Sequence, residues 1–177
     1  MSTLAVLTLA VLTLAVRTLA ASALAALALT ACGGLDPGDL PPETAITGSV
    51  VFEGGSAAWP DSNVYEVRVA AFEQIPTAPD SVFNAIISQT AIISDTLPRY
   101  SASAGYRILV PAPPRTFRYI VVAMRNGTDF LKDWLMLSVY APSGDPAQPG
   151  TITVNPGSTT PINFSVDFNN LPPQPFE

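Results

Sequence analysis

The chain has 177 residues, with 14 acidic against 8 basic side chains, a formal net charge of −6, no histidine and a single cysteine. Without histidine there is no Ser-His-Asp or Cys-His catalytic arrangement, no His-ligated zinc or iron site and no imidazole proton shuttle, and one cysteine excludes an intrachain disulfide. The acidic balance argues against nucleic acid as a partner, because neutralising phosphates takes clustered Lys and Arg.

Residues 1–31 are built of Ala, Leu and Val around scattered Ser and Thr, with Arg17 the only charge, and all 18 prolines and 11 glycines lie beyond them. What remains after this leader is the size of one domain. The leader closes on Leu29-Thr30-Ala31-Cys32, which resembles the lipobox of bacterial lipoproteins: an aliphatic residue, two small ones, then the cysteine that becomes the lipidated first residue. The resemblance implies a signal peptide over 1–31, lipidation of Cys32 and a membrane as partner through the acyl chains, more than one of which is needed for stable anchoring. Gly33, not aspartate, follows the cysteine, which implies transfer to the outer membrane. An uncleaved anchor is the alternative, since the segment is long enough to cross a bilayer. Against it, Arg17 would then sit near mid-membrane.

The leader also repeats: Thr-Leu-Ala-Val starts at Thr3, Thr8 and Thr13, and Thr18 opens a partial fourth copy. A period of five is neither helical nor heptad. Translation from Val16 would leave Arg17 at the front of an ordinary signal peptide, so we expect residues 1–15 not to be made. Residues 32–43 are then the lipidated cysteine and a Gly/Pro-rich tether.

Over residues 44–170, short β-branched and aromatic runs alternate with turn residues, the pattern of an all-β sandwich or barrel. Residues 46–52 make a first strand, ended by Glu53-Gly54-Gly55, and 64–73 a second, with Tyr65, Val67, Val69 and Ala71 on one face. The run 81–94 predicts a helical turn over 81–87 and a strand over 89–95. Residues 106–110 and 117–125 are expected to pair across the intervening prolines. Residues 132–140 follow Asn126-Gly127, a strong hairpin signal. Residues 151–155 and 162–168, divided by Pro156-Gly157, close the set.

Several of these segments resemble the carboxypeptidase regulatory-like, or transthyretin-like, domains. Ile46-Thr47-Gly48-Ser49-Val50 is similar to their opening strand, and Val67-Arg68-Val69-Ala70-Ala71-Phe72 to their second. Tyr106-Arg107-Ile108-Leu109-Val110-Pro111 followed by 117–123 is similar to their Tyr-x-Leu-x-Val-Pro hairpin, and Val154-Asn155-Pro156-Gly157 through Phe164 to their close. The hairpin departs from the family's pattern at Arg115-Thr116. The resemblance implies a seven-stranded antiparallel sandwich used as a non-catalytic module.

Strand alternation over 132–140 places Asp133, Leu135, Leu137 and Val139 on one side and Trp134, Met136, Ser138 and Tyr140 on the other. If the first side is core, Trp134 and Tyr140 form an aromatic platform for sugars or a protein contact; the alternative is that their side packs beneath a loop or the 81–94 segment. Trp59, beside Pro60, has the same two readings. Asp129 and Asp133 flank the hairpin end as the one pair that a carboxylate mechanism or a calcium ion could use, but a hairpin end offers little burial and the dense acidic run of a calcium loop is missing. They, Asp61-Ser62-Asn63 and 167–170 read as turn chemistry. The tail, 171–177, has three prolines and can be neither helix nor strand interior; it is expected to lie along the sandwich with Phe176 docked. The reading is therefore of a non-catalytic envelope lipoprotein, without metal or cofactor, whose β-sandwich is a binding or accessory domain of unspecified ligand; the alternatives are an assembly subunit contacting another envelope protein and a carbohydrate-binding module, with Trp134, Tyr140 and Trp59 as binding candidates.

Overall fold

The computed structural model describes residues 42–176. The leader, Cys32 and the tether up to residue 41 lie outside the described residues, as do the expectations placed on them. In chain order the elements are β1 (Ala45–Phe52), a 3-10 turn (Gly55–Ala58), β2 (Glu66–Phe72), α1 (Pro79–Ile87), β3 (Ala91–Ile93), β4 (Ser103–Leu109), β5 (Arg115–Phe117), β6 (Tyr119–Arg125), β7 (Trp134–Val139), β8 (Ile152–Val154), β9 (Thr159–Pro161) and β10 (Phe164–Val166). The architecture is an all-β sandwich with one α-helix.

One sheet centres on β1, with β4 antiparallel on one side and β9 then β10 on the other; the second runs β3-β2-β6-β7, and β5 and β8 form a separate pair. Two expectations are corrected. The first sheet is mixed, because β9 and β10 run parallel to β1. A parallel neighbour must come from a distant crossover, and more than a hundred residues separate these strands. The segments at 106–110 and 117–125 do not pair with each other: β4 pairs with β1 and β6 with β2, in opposite sheets. The prolines and β5 between them carry the chain from one sheet to the other.

The core is where the period-two pattern puts it. Ile46, Val50 and Phe52 of β1, Tyr106 and Ile108 of β4 and Phe164 and Val166 of β10 meet Val67, Val69, Ile120, Val122 and Leu137 of the other sheet. Burying each such side chain contributes about 1.5–3 kcal/mol. Gly48 faces this interior, and a Cβ there would lie 1.6 Å from the Ile162 carbonyl oxygen and 3.0 Å from the Tyr106 ring. Ile162 falls in the gap between β9 and β10, where the chain dips over the glycine. Its N–H donates to Thr47 O at 2.8 Å, its carbonyl accepts from the Tyr106 hydroxyl at 2.8 Å, and Asn163 Oδ1 accepts from the Ser49 N–H at 2.9 Å. One side-chain amide and one phenol thus carry the strand across its interruption.

The β2 strand is buried on both faces, because α1 covers part of the outer face of its sheet. Val82, Ala85 and Ile86 pack on a second cluster of Ala70, Phe72, Ala91, Tyr119, Val121 and Met136. The helix starts with Pro79 in its first turn and Asp80 near its N-terminus, a favoured arrangement of fixed φ and negative charge. It ends before Gln89, which adopts φ 59°. The expected helix at 81–87 and strand at 89–95 are thus present, two residues longer at the helix start and shorter in the strand.

Candidate functional site

Because α1 covers only part of the outer face, a groove of about 180 Å³ remains between it and the sheet. Its floor is Ala70, Phe72, Tyr119, Val121, Ala123 and Met136; its walls are Val82, Phe83 and Ile86 of α1 and, opposite, Phe130, Leu131 and Trp134 of the β6–β7 hairpin. Pro175 and Phe176 border it from the tail. Five of the eleven large apolar side chains left exposed among the described residues line this one groove: Phe83, Ile93, Phe130, Leu131 and Phe176. Such clustering sets this face apart from single scattered exposures, which need no explanation.

The hairpin that supplies one wall is held by its two aspartates. Asp133 Oδ2 accepts from the Asp129 N–H at 2.7 Å, Asp129 Oδ1 accepts from the Leu131 N–H at 2.9 Å, and a Cβ on Gly127 would lie 2.2 Å from Asp133 Oδ2. The Asn-Gly signal therefore marks a real hairpin, but Gly127 serves close approach of a carboxylate, not a two-residue turn. Asp129 and Asp133 are engaged in the loop, as turn chemistry. Trp134 Nε1 donates to Phe130 O at 2.7 Å, and the two rings meet edge to face at 5.9 Å, which stands Phe130 up as a wall.

At the polar end of the same sheet face, Glu66 bridges two arginines. Its Oε2 accepts from Arg68 Nε at 2.9 Å and its Oε1 from Arg125 Nε at 2.8 Å. Burial alone would raise the Glu66 carboxyl, but hydrogen bonds from both guanidiniums and their charges outweigh it and hold the group below the usual carboxylate range. Arg68 also donates through Nη1 to Ser94 O at 2.8 Å, and it lines the groove. Beneath α1, Tyr119 donates its hydroxyl to Met136 Sδ at 2.9 Å, and burial pushes its phenol up to about 12.

The predicted aromatic platform is not formed. Between Val122 and Ala123 the register to β7 shifts by one, so Leu137 is an extra residue on β7. A bulge of this kind breaks strict alternation. Before it, Trp134 and Met136 face outward and Leu135 inward; after it, Val139 joins the outer cluster and Tyr140 packs on the core. Trp134 and Tyr140 are therefore on opposite faces. Trp134 is a groove wall, whereas Tyr140 lies against Pro142 and Gly150. Trp59 is buried, with its Nε1 donating to Ser101 O at 2.8 Å and its ring among Phe52, Tyr100 and Phe168. It closes one end of the core.

Sequence reading missed Arg68, Val82 and the pair Phe130-Leu131. The available signal for the last was two large apolar residues at a hairpin tip, where polar residues are usual; Arg68 is the one charge in the run Val67 to Phe72. Among the described residues no cluster of acidic or sulfur ligands could hold a metal ion, and no helix is long and apolar enough to cross a membrane. No protein-family model matches the chain, and no curated protein and no solved structure matches it.

Proposed function

We propose that the protein is a non-catalytic lipoprotein of the cell envelope, anchored through acyl chains on Cys32 and carrying a β-sandwich that binds an apolar ligand in the groove beneath α1. The observation that carries the binding role is the concentration of exposed apolar side chains along one groove. The sequence Leu29-Thr30-Ala31-Cys32 supports the anchor, and Gly33 supports the outer membrane as its place. An apolar occupant is favoured over a polysaccharide, since Trp134 and Tyr140 do not share a face and sugars need more hydrogen-bonding groups than this lining offers.

The finer fold reading, a seven-stranded carboxypeptidase regulatory-like sandwich, is supported by the order of the similar segments.

The full-length protein in phosphatidylcholine vesicles, irradiated with a neutral photoactivatable decanol analogue, is expected to carry adducts on α1, the hairpin tip and β7. Ala123→Trp on the floor and Val82→Trp on the wall should each abolish them while leaving labelling elsewhere unchanged. Adducts spread evenly over the domain would overturn the reading. In producing cells, alkynyl palmitate should label the protein and fail to label the Cys32→Ser variant.

A further inference from the structure

The occupant's chemistry follows from the one charge and the one blocked edge at this groove. Arg68 is the only charged residue lining it among the described residues. Its guanidinium is fixed by Glu66 and the Ser94 carbonyl, and its Nη2 has no hydrogen-bond partner among the described residues. Two guanidiniums, those of Arg68 and Arg125, share the single Glu66 carboxylate. With its side chain 29% exposed, Arg68 is both within reach of a ligand and held in place beforehand, which lowers the ordering cost of binding.

The adjoining edge of β7 is occupied at Met136, in the middle of the strand. The outward N–H and C=O of Met136 are both taken by the Gln174 side chain, so an extended peptide laid along this edge would lack the main-chain hydrogen bonds that strand addition depends on. An alkyl chain needs none. Resting on the apolar-groove reading above, we propose that the groove takes a single-chain amphiphile, with its alkyl chain between α1 and the sheet and an anionic head, carboxylate or phosphate, on Arg68 Nη2.

The test uses the full-length protein in phosphatidylcholine vesicles and photoactivatable twelve-carbon chains carrying a carboxylate, a phosphate or a hydroxyl. The anionic forms are expected to label the groove about tenfold more than the alcohol, the ratio supplied by one charge-assisted hydrogen bond. Arg68→Gln should bring the three to parity, and Arg68→Lys should retain part of the preference. A carboxylate above the phosphate assigns a fatty-acid head, and the reverse a phospholipid-derived one. Equal labelling by all three in the wild type, which needs no variant to fold, overturns the proposal while leaving the apolar groove standing. No groove labelling by any of them overturns both.

Discussion

The Gln174 side-chain amide clasps the backbone of Met136: Oε1 accepts from the Met136 N–H at 2.8 Å, and Nε2 donates to the Met136 carbonyl at 3.1 Å. A free sheet edge invites pairing with another chain, and here a single glutamine from a proline-rich tail stands in for the missing strand. The same Nε2 donates to Pro172 O at 3.0 Å, which fixes the tail's own bend and places Pro175 and Phe176 beside the groove.

Gln174→Ala is expected to lower stability by about 1–2 kcal/mol, the cost of losing partners at two half-buried backbone groups. Hydrogen exchange should localise the change to the Met136 amide, which becomes fast while the inner amides of β6 stay protected. Unchanged protection at Met136 would refute the clasp.

Gly48 is expected to tolerate no side chain. Gly48→Ala would set a methyl within 1.6 Å of the Ile162 oxygen, and relieving this clash separates β1 from the β9–β10 gap and breaks the Tyr106 hydrogen bond. A loss above ~3 kcal/mol follows. Gly105→Ala, whose nearest neighbour beyond the local chain would be 4.0 Å away, is the control in chemical denaturation.

Stability should fall in acid through Glu66. Its folded-state carboxyl titrates below the ordinary value of 4.5, so the stability it contributes is fully present above that value and is lost as pH falls through the lower folded one. Glu66→Gln is expected to cost roughly 2 kcal/mol at neutral pH, less than in a fully buried pair because both guanidiniums keep some contact with water. Urea midpoints of the two proteins should draw together as pH falls from 4.5 through the lowered Glu66 value. A gap that is the same at neutral pH and in acid strong enough to protonate Glu66 would count against the network.

The alkaline limit has a different origin. Burial raises both Tyr106 and Tyr119, the latter to about 12, so the folded state holds these phenols neutral while the unfolded chain ionises them from about pH 10. The stability these two phenols contribute is therefore fully present below pH 10 and declines as pH rises toward 12. Ultraviolet titration should show these two tyrosines ionising only with unfolding, and Tyr119→Phe should flatten part of the decline. If Tyr106 and Tyr119 ionised near pH 10 with the fold intact, the burial argument would fail.

Strand segments around residues 46–52, 64–73, 117–125 and 132–140 were legible because runs of β-branched and aromatic residues bounded by turn residues are a local property of consecutive positions. The change from helix to strand within 81–94 was legible for the same reason, through a change of period. Pairing was not. Whether residues 106–110 lie beside 117–125 or beside 46–52 depends on which surfaces meet after collapse, and adjacency in sequence favoured the wrong neighbour. The bulge at Leu137 left no local mark either, yet it decides that Trp134 lines the groove while Tyr140 joins the core.

From its sequence alone this chain is an acidic, histidine-free, proline-rich β domain behind an apolar run that ends in Leu29-Thr30-Ala31-Cys32, because composition, period and a four-residue motif are properties of consecutive residues. The groove belongs to the tertiary structure. Val82, Arg68, Phe130 and Phe176 come from four separate segments, and what brings them together is the apolar outer face of one sheet, which a nine-residue helix is too short to cover.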